Sequence, residues 1–412
     1  MKKVVSLLVA AVMVMSCAML AGCGSAKQES GTQTQTEEKS AGKSKSDIKI
    51  GFICLHDENS TYDKNFIDAA NAAKKSLGLS DSQVMFKTNI PESNECYEAA
   101  ASLVDAGCDI VFADSFGHED FMIQAAKEFP EVVFAHATGT KAHTEKLPNF
   151  YNAFASIYEG RFLAGVAAGL KINEMIENGK ITADQTKMGY VGAYPYAEVK
   201  SGYTSFFLGA RSVCPSVTME VKFTNSWFDI AAEKETANAL IADGCVLISQ
   251  HADSEGAPKA CEEAGVPNVA YNLDTREWGP NSALISSKIN WEPYFEHLVT
   301  SVTEGTQITQ DFCGGLKEDV VQTLGLNDAV AAKGTKEKLG EVKAKLISGE
   351  IKVFDTSTFT VKGQTLTEYK ADVDTDAAFT PDTEVVSDGY FHESEKRSAP
   401  YFDLDIDGIT IK

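Results

Sequence analysis

Short apolar runs alternate along this chain with longer stretches in which apolar residues recur every three to four positions. Lys49-Ile50-Gly51-Phe52-Ile53-Cys54 is a nearly unbroken run, as a strand covered on both faces requires. Residues 64–77 place Phe66, Ala69, Ala70, Ala73 and Leu77 near helical spacing and predict a helix. Strands are expected at 83–87, 109–113 and 132–135, with helices at 95–106 and 119–129 between them. The alternation then restarts. An apolar helix at 160–172 carries Ala164, Gly165, Ala168 and Gly169, which permit close packing. Strands at 188–192, 218–223, 246–249 and 269–271 follow, interleaved with helices at 199–213, 229–242 and 256–264. Repeated strand–helix units predict a parallel sheet. Two such series predict an α/β fold of two doubly wound parallel-sheet lobes with a hinge.

The beginning of the chain has a different pattern. Lys2 and Lys3 precede an apolar run over residues 4–20. That run falls short of the roughly 20 residues of a spanning helix and sits where a signal peptide would. Leu20-Ala21-Gly22-Cys23 closes it in the manner of a bacterial lipobox, with the Cys23 thiol as the site of lipid attachment. Two or more acyl chains make such an anchor stable. The expected organisation is a leader at 1–23, a flexible tether at 24–46, a first lobe at 47–157 and 287–312, a second lobe at 158–286 and 313–355, and an acidic extension at 356–412. The tether is expected because 24–45 is rich in Ser, Gly, Thr, Gln, Lys and Glu and has almost nothing to bury. The protein is thus expected on the extracytoplasmic face of the cell membrane. A net charge of -22 argues against nucleic acid as a partner and against electrostatic adhesion to anionic lipid, which leaves the lipid to hold it. Beyond Cys17 and Cys23, no close cysteine pair has metal-ligand spacing, and neither metal nor cofactor is expected.

Ligands of doubly wound sheets sit at the carboxyl ends of the strands. Here those ends carry carboxylates, amides and aromatics: Asp57 with its neighbours from His56 to Phe66, Asp114-Ser115-Phe116, Tyr194-Pro195-Tyr196, Trp227 within Asn225-Ser226-Trp227-Phe228-Asp229, His251 and Asp253, and Asn272-Leu273-Asp274. Each Asp taken singly reads equally as a helix N-cap. Their recurrence on both lobes, with aromatics interleaved, suits a flat, neutral, hydroxylated ligand. Carboxylates accept from hydroxyls, and rings stack on a base or sugar face. Walker, nucleophile-elbow and metal-binding motifs are absent, and no residue is assigned a catalytic role. The segment Asp403-Leu404-Asp405-Ile406-Asp407-Gly408 is expected to be a solvated acidic strand and turn, since it lacks the last ligand of a calcium loop.

Asp63-Lys64-Asn65-Phe66 resembles the Asp-Lys-Ser-Phe-Asn helix start of the basic membrane protein family, the purine-nucleoside-receptor-like binding lipoproteins. Glu159-Gly160-Arg161-Phe162-Leu163-Ala164-Gly165 is similar to that family's Glu-Gly-Ser-Phe-Leu-Ala-Gly, and Gly314-Gly315-Leu316-Lys317-Glu318 matches one branch. The resemblance implies a periplasmic-binding-protein-like class I fold and a purine nucleoside or base as ligand, delivered to ABC permease and ATPase subunits. It makes Asp57 and Asn65-Phe66 first-lobe contacts, with Phe66 the stacking ring. Asp114 and Asn272 become polar contacts, and Lys288 a contact from the segment crossing between lobes. The family's second stacking Phe aligns with Gly202, so Tyr196, Tyr203 or Trp227 is expected to supply that face. Gln250-His251-Ala252-Asp253 resembles a branch taking free bases. The alternatives are a ligand-presenting sensor, a sugar- or autoinducer-binding protein and a nucleoside hydrolase.

Overall fold

The structure, a computed structural model, describes residues 42–376 and 378–412. The leader with Cys23 and the tether up to residue 41 lie outside the described residues. The chain first lays down β1 (Ile50–Ile53), α1 (Thr61–Leu77), β2 (Val84–Lys87), α2 (Asn94–Asp105), β3 (Ile110–Ala113), α3 (Glu119–Glu128), β4 (Val133–Ala137), α4 (Ala142–Glu145) and β5 (Phe150–Ala155). It continues through α5 (Ile157–Glu177), β6 (Lys187–Gly192), α6 (Ala197–Val213), β7 (Thr218–Phe223), α7 (Ile230–Ala242), β8 (Leu247–Gln250), α8 (Gly256–Ala264), β9 (Asn268–Tyr271) and β10 (Ala283–Ile289). Then come α9 (Glu292–Glu304), β11 (Asp311–Gly314), β12 (Val321–Leu324) and α10 (Thr335–Ser348).

These strands form two large sheets, and two short antiparallel pairs lie in the extension. The first has the order β11-β5-β4-β3-β1-β2 and is parallel throughout. The second runs β12-β10-β9-β8-β6-β7 and ends on the chain's last strand, Ile409–Ile411. Only β12 is antiparallel in it. The chain crosses between lobes after β5, after β10 and after β11. β10 keeps pairing with β12 up to Ile289, so the second crossing follows Ile289 rather than residue 286.

Burial explains the element boundaries. β1 and β3 are buried at every position, as strands covered by helices on both faces must be. The first lobe closes over an aromatic cluster in which Phe66 stacks on Trp291 at 4.6 Å and Phe112 meets Phe295 edge-on at 5.0 Å. In the second lobe, α5 and α6 approach until a Cβ at Gly165 would overlap the Phe206 carbonyl, and one at Gly209 the Phe162 carbonyl. The small residues of the α5 sequence serve that contact.

Residues 403–408 are mostly exposed and turn at Asp407-Gly408, as expected, with the strand following at Ile409 and only Ile406 buried, but the rest of the extension builds a core. Phe354, Phe359, Phe391, Tyr401, Phe402 and Ile406 are buried, and Phe354 stacks on Phe402 at 4.4 Å. The last strand joins the edge of the second sheet beside β7, pairing Ile409 with Met219 and Ile411 with Val221. Asp403 and Asp405 pair with Lys200 of α6 at 2.9 and 3.2 Å. Several apolar residues of this tail come in adjacent pairs, Val385-Val386, Tyr390-Phe391 and Tyr401-Phe402, and pack inward, while Phe379 and Ile411 stay exposed.

Candidate functional site

The carboxyl ends of the two sheets face each other across a narrow cleft. Its first-lobe wall comes from Leu55 and His56 after β1, Tyr62 and Asp63 at the start of α1, Ser115 and Phe116 after β3, and Thr138 after β4. Its second-lobe wall comes from Glu198 at the start of α6, Trp227 after β7, and His251 and Asp253 after β8.

Local hydrogen bonding sets the first wall. Ser60 caps α1 by accepting from the Asp63 N–H, while the Asp63 carboxylate accepts from the Ser60 hydroxyl at 2.6 Å and the His56 N–H at 2.7 Å. This reciprocal cap folds the β1–α1 loop back on the helix and turns Tyr62 toward the cleft. The Tyr62 hydroxyl donates to the Asp114 carbonyl at 2.8 Å. Beneath the loop, Cys54 Sγ and the carboxylates of Asp63 and Asp114 lie within 4.8 Å of one another. Burial pushes the Asp114 carboxyl well above the usual carboxylate range, and the charge of Asp63 adds to it.

On the second wall, Asp253 is held by its backbone and its carboxylate. Its N–H donates to the Trp227 carbonyl at 2.9 Å, and its Oδ1 accepts from Asn272 Nδ2 at 3.2 Å. Asn272 has φ +69°, a left-handed conformation that Asn tolerates better than most side chains. Burial raises the Asp253 carboxyl well above its ordinary value, with the acidic charges of Glu233, Asp63 and Glu198 adding to the effect. His251 is buried between Arg161 Nη2, 3.1 Å from its Nδ1, and Glu198 Oε1, 3.2 Å from its Nε2. The Arg161 guanidinium lies 3.5 Å over the Tyr271 ring. The cleft is thus rich in carboxylate acceptors and bounded by rings, an environment for a flat ligand with N–H or O–H donors.

The structure sorts the sequence candidates. Trp227, His251 and Asp253 line the cleft. Asp114 lies directly under it and Asn272 fixes Asp253. Tyr196 stands at the mouth, stacked at 5.3 Å on Phe116 of the opposite lobe. The other candidates lie away from it. Phe66 is in the first-lobe core on Trp291, on the inward face of α1 that it shares with Ala69, Ala70 and Ala73. Asn65 Nδ2 donates to the Ile289 carbonyl at the crossing. Asp57 accepts from the Asn59 N–H and side-chain amide within its own loop. Tyr203 is buried edge-on against Tyr190. Lys288 is half-buried on β10, where burial lowers its ammonium pKa and the charges nearby are those of Asp68, Glu292 and Asp319.

Tyr62, Glu198, Thr138 and Arg161 were not singled out by sequence. Tyr62 shares a loop with the chosen candidates. Glu198 reads as an ordinary first-turn acid. Thr138 follows a strand that runs two residues past its expected end. Arg161 is a lone charge inside an apolar helical run, and that misfit was its signal.

Residues 53–357 match the family profile described as Bmp, ABC transporter substrate-binding protein PnrA-like. A purine-binding protein of Brucella abortus is 32% identical over 310 residues, covering 74% of this chain and 83% of that one. A putative ABC transporter glucose-binding protein of Haloferax volcanii is 34% identical over 253 residues, covering 61% of this chain and 60% of that protein. Among solved structures, a solute-binding protein of an Aeropyrum pernix ABC transporter system superposes with a TM-score of 0.62 at 18% identity, over 74% of this chain and 93% of its own. With two facing parallel-sheet lobes and a family match over most of its length, the chain belongs to the Bmp family of PnrA-like ABC transporter substrate-binding proteins.

Proposed function

We propose that this protein captures a purine nucleoside or purine base between its lobes and passes it to the permease and ATPase of an importer, tethered on the extracytoplasmic face by lipid on Cys23. The observation that carries the ligand class is the pairing of rings with carboxylates in one cleft. Trp227 and Tyr62 offer faces for a planar base, and Asp253 and Glu198 offer acceptors for its N–H groups. An anionic ligand would meet Asp63 and Glu198, with the Arg161 guanidinium held behind His251, and like charges in a desolvated site repel strongly. The 32% identical relative named as purine-binding supports the same class.

A sugar is the second reading, because hydroxyls also donate to carboxylates and a 34% identical relative is named as glucose-binding. Mass spectrometry of the ligand released from natively purified protein separates the two. A purine or nucleoside is expected, and a hexose would replace the first reading with the second.

A further inference from the structure

Arg161 sits behind the cleft wall, and among the described residues no carboxylate is one of its hydrogen-bond partners. Its Nη1 donates to the Gln250 carbonyl at 3.0 Å and its Nη2 to His251 Nδ1 at 3.1 Å, while the plane of the guanidinium covers Tyr271. Arginine carries only donors and does not deprotonate in proteins. His251 Nδ1 must therefore accept, and its proton must be on Nε2, which faces Glu198 Oε1 at 3.2 Å. The doubly protonated ring is excluded by the same contact, since Nδ1–H would point at an N–H of a cation.

Gly202 of α6 is part of the same arrangement. A Cβ there would lie 3.1 Å from His251 Nδ1 and 3.7 Å from Arg161 Nε, so this pair occupies the space that a larger residue 202 would need. We propose that Arg161 is a positioning residue for the ligand site: it locks His251 as the neutral Nε2–H tautomer, so that this N–H always holds Glu198 Oε1 and fixes the Glu198 carboxylate as an acceptor on the second-lobe wall. Every titratable or charged group facing His251 is included in this balance. Arg161 on α5 and burial oppose its protonation, and Glu198 on α6 favours it. The Tyr190 hydroxyl on β6 is 3.4 Å from Nδ1, the Tyr271 ring on β9 packs at 5.1 Å, and Asp253 follows in the same loop. The assignment rests on the purine reading only for the choice of binding probe.

Long-range proton–nitrogen spectra of the full chain labelled in histidine read the tautomer directly, without ligand. Wild type should show His251 as Nε2–H with no titration from about pH 5 to about pH 8, the range in which an unconstrained imidazole changes charge. Arg161→Gln, whose amide either donates or accepts, should release the ring to titrate. Its affinity for adenine should fall about tenfold toward the alkaline end, where the neutral ring is free to carry its proton on Nδ1, and recover toward the acid end, where the doubly protonated ring again holds Nε2–H. Arg161→Lys, which keeps a cationic donor, should restore most of the wild-type pH profile. A wild-type His251 found as Nδ1–H, or titrating normally, overturns the assignment whether or not either variant folds. An unaltered pH profile in Arg161→Gln also overturns it. Failure of wild type to bind adenine and adenosine would instead remove the purine reading, and the spectra would still decide the role of Arg161.

Discussion

The Thr61 backbone N–H donates across the cleft to the Asp253 carbonyl at 2.8 Å. Thr61 is the first residue of α1, so its N–H is one of the donors a helix cannot satisfy internally. The second lobe supplies the missing acceptor. The Thr61 hydroxyl reaches Asp253 Oδ1 at 3.4 Å, and Phe116 stacks on Tyr196 at the mouth. These contacts join the lobes beside the cleft. Opening the cleft exchanges them for water, and a ligand that touches both walls shifts the balance toward closure by its differential affinity for the closed form.

Trp227 and Phe66 should respond oppositely to truncation. Trp227→Ala removes a ring from the cleft wall and should weaken purine binding by about 1–3 kcal/mol, roughly five- to 150-fold in Kd. The melting temperature of the unliganded protein should change little. Phe66→Ala opens a hole beside Trp291 and should cost about 3–5 kcal/mol of stability, with a smaller effect on affinity. Calorimetric titration and thermal melting of both variants check the pair. A normal affinity in Trp227→Ala would remove the ring from the site.

Asp253→Ala should impair closure as well as contact. It leaves Asn272 Nδ2 without its acceptor while keeping the backbone bond to Thr61. Affinity should fall by about tenfold or more, the usual consequence of an unsatisfied buried donor. In small-angle scattering, the variant should need correspondingly more ligand to reach the compact radius. A wild-type titration curve would contradict the placement.

Stability should depend on Glu393 at alkaline pH. This side chain is buried in the extension, its Oε1 accepts from the Tyr401 N–H at 3.1 Å, and burial pushes its carboxyl from 4.5 up to about 8. Between those values the folded state holds a proton that the unfolded state has lost, so stability falls as pH rises through the window. Glu393→Gln cannot ionise. Its melting temperature relative to wild type should therefore climb from acid to alkaline pH. Glu233, raised to about 7, titrates in both proteins and cancels in the difference. A constant offset would place Glu393 in a solvated setting.

Cys23→Ala should abolish labelling by radioactive fatty acid and leave the folded lobes able to bind ligand. Persistent labelling would place the lipid elsewhere.

The doubly wound strands were legible because burial on both faces leaves no polar alternation, as in β1 and β3. β5 was harder to read. Its Asn152 sits mid-strand, where its amide donates to Glu119 Oε1 at 3.1 Å, a tertiary contact that local pattern does not contain. The site was legible as a set of loops more than as a set of residues. Strand-end reasoning reached Trp227, His251 and Asp253. The resemblance selected Phe66 where the cap formed by Ser60 and Asp63 turns Tyr62 to the cleft instead. Glu198 and Arg161 became visible only once α5, α6 and the β8 loop were brought together around His251.

The most direct test of the central claim is calorimetric titration of the ligand-stripped protein with adenine, adenosine and glucose under one set of conditions. Saturable one-to-one binding of adenine or adenosine, weakened in both Trp227→Ala and Asp253→Ala, with no heat from glucose, is the predicted result. Binding of glucose with silence from both purines would contradict it.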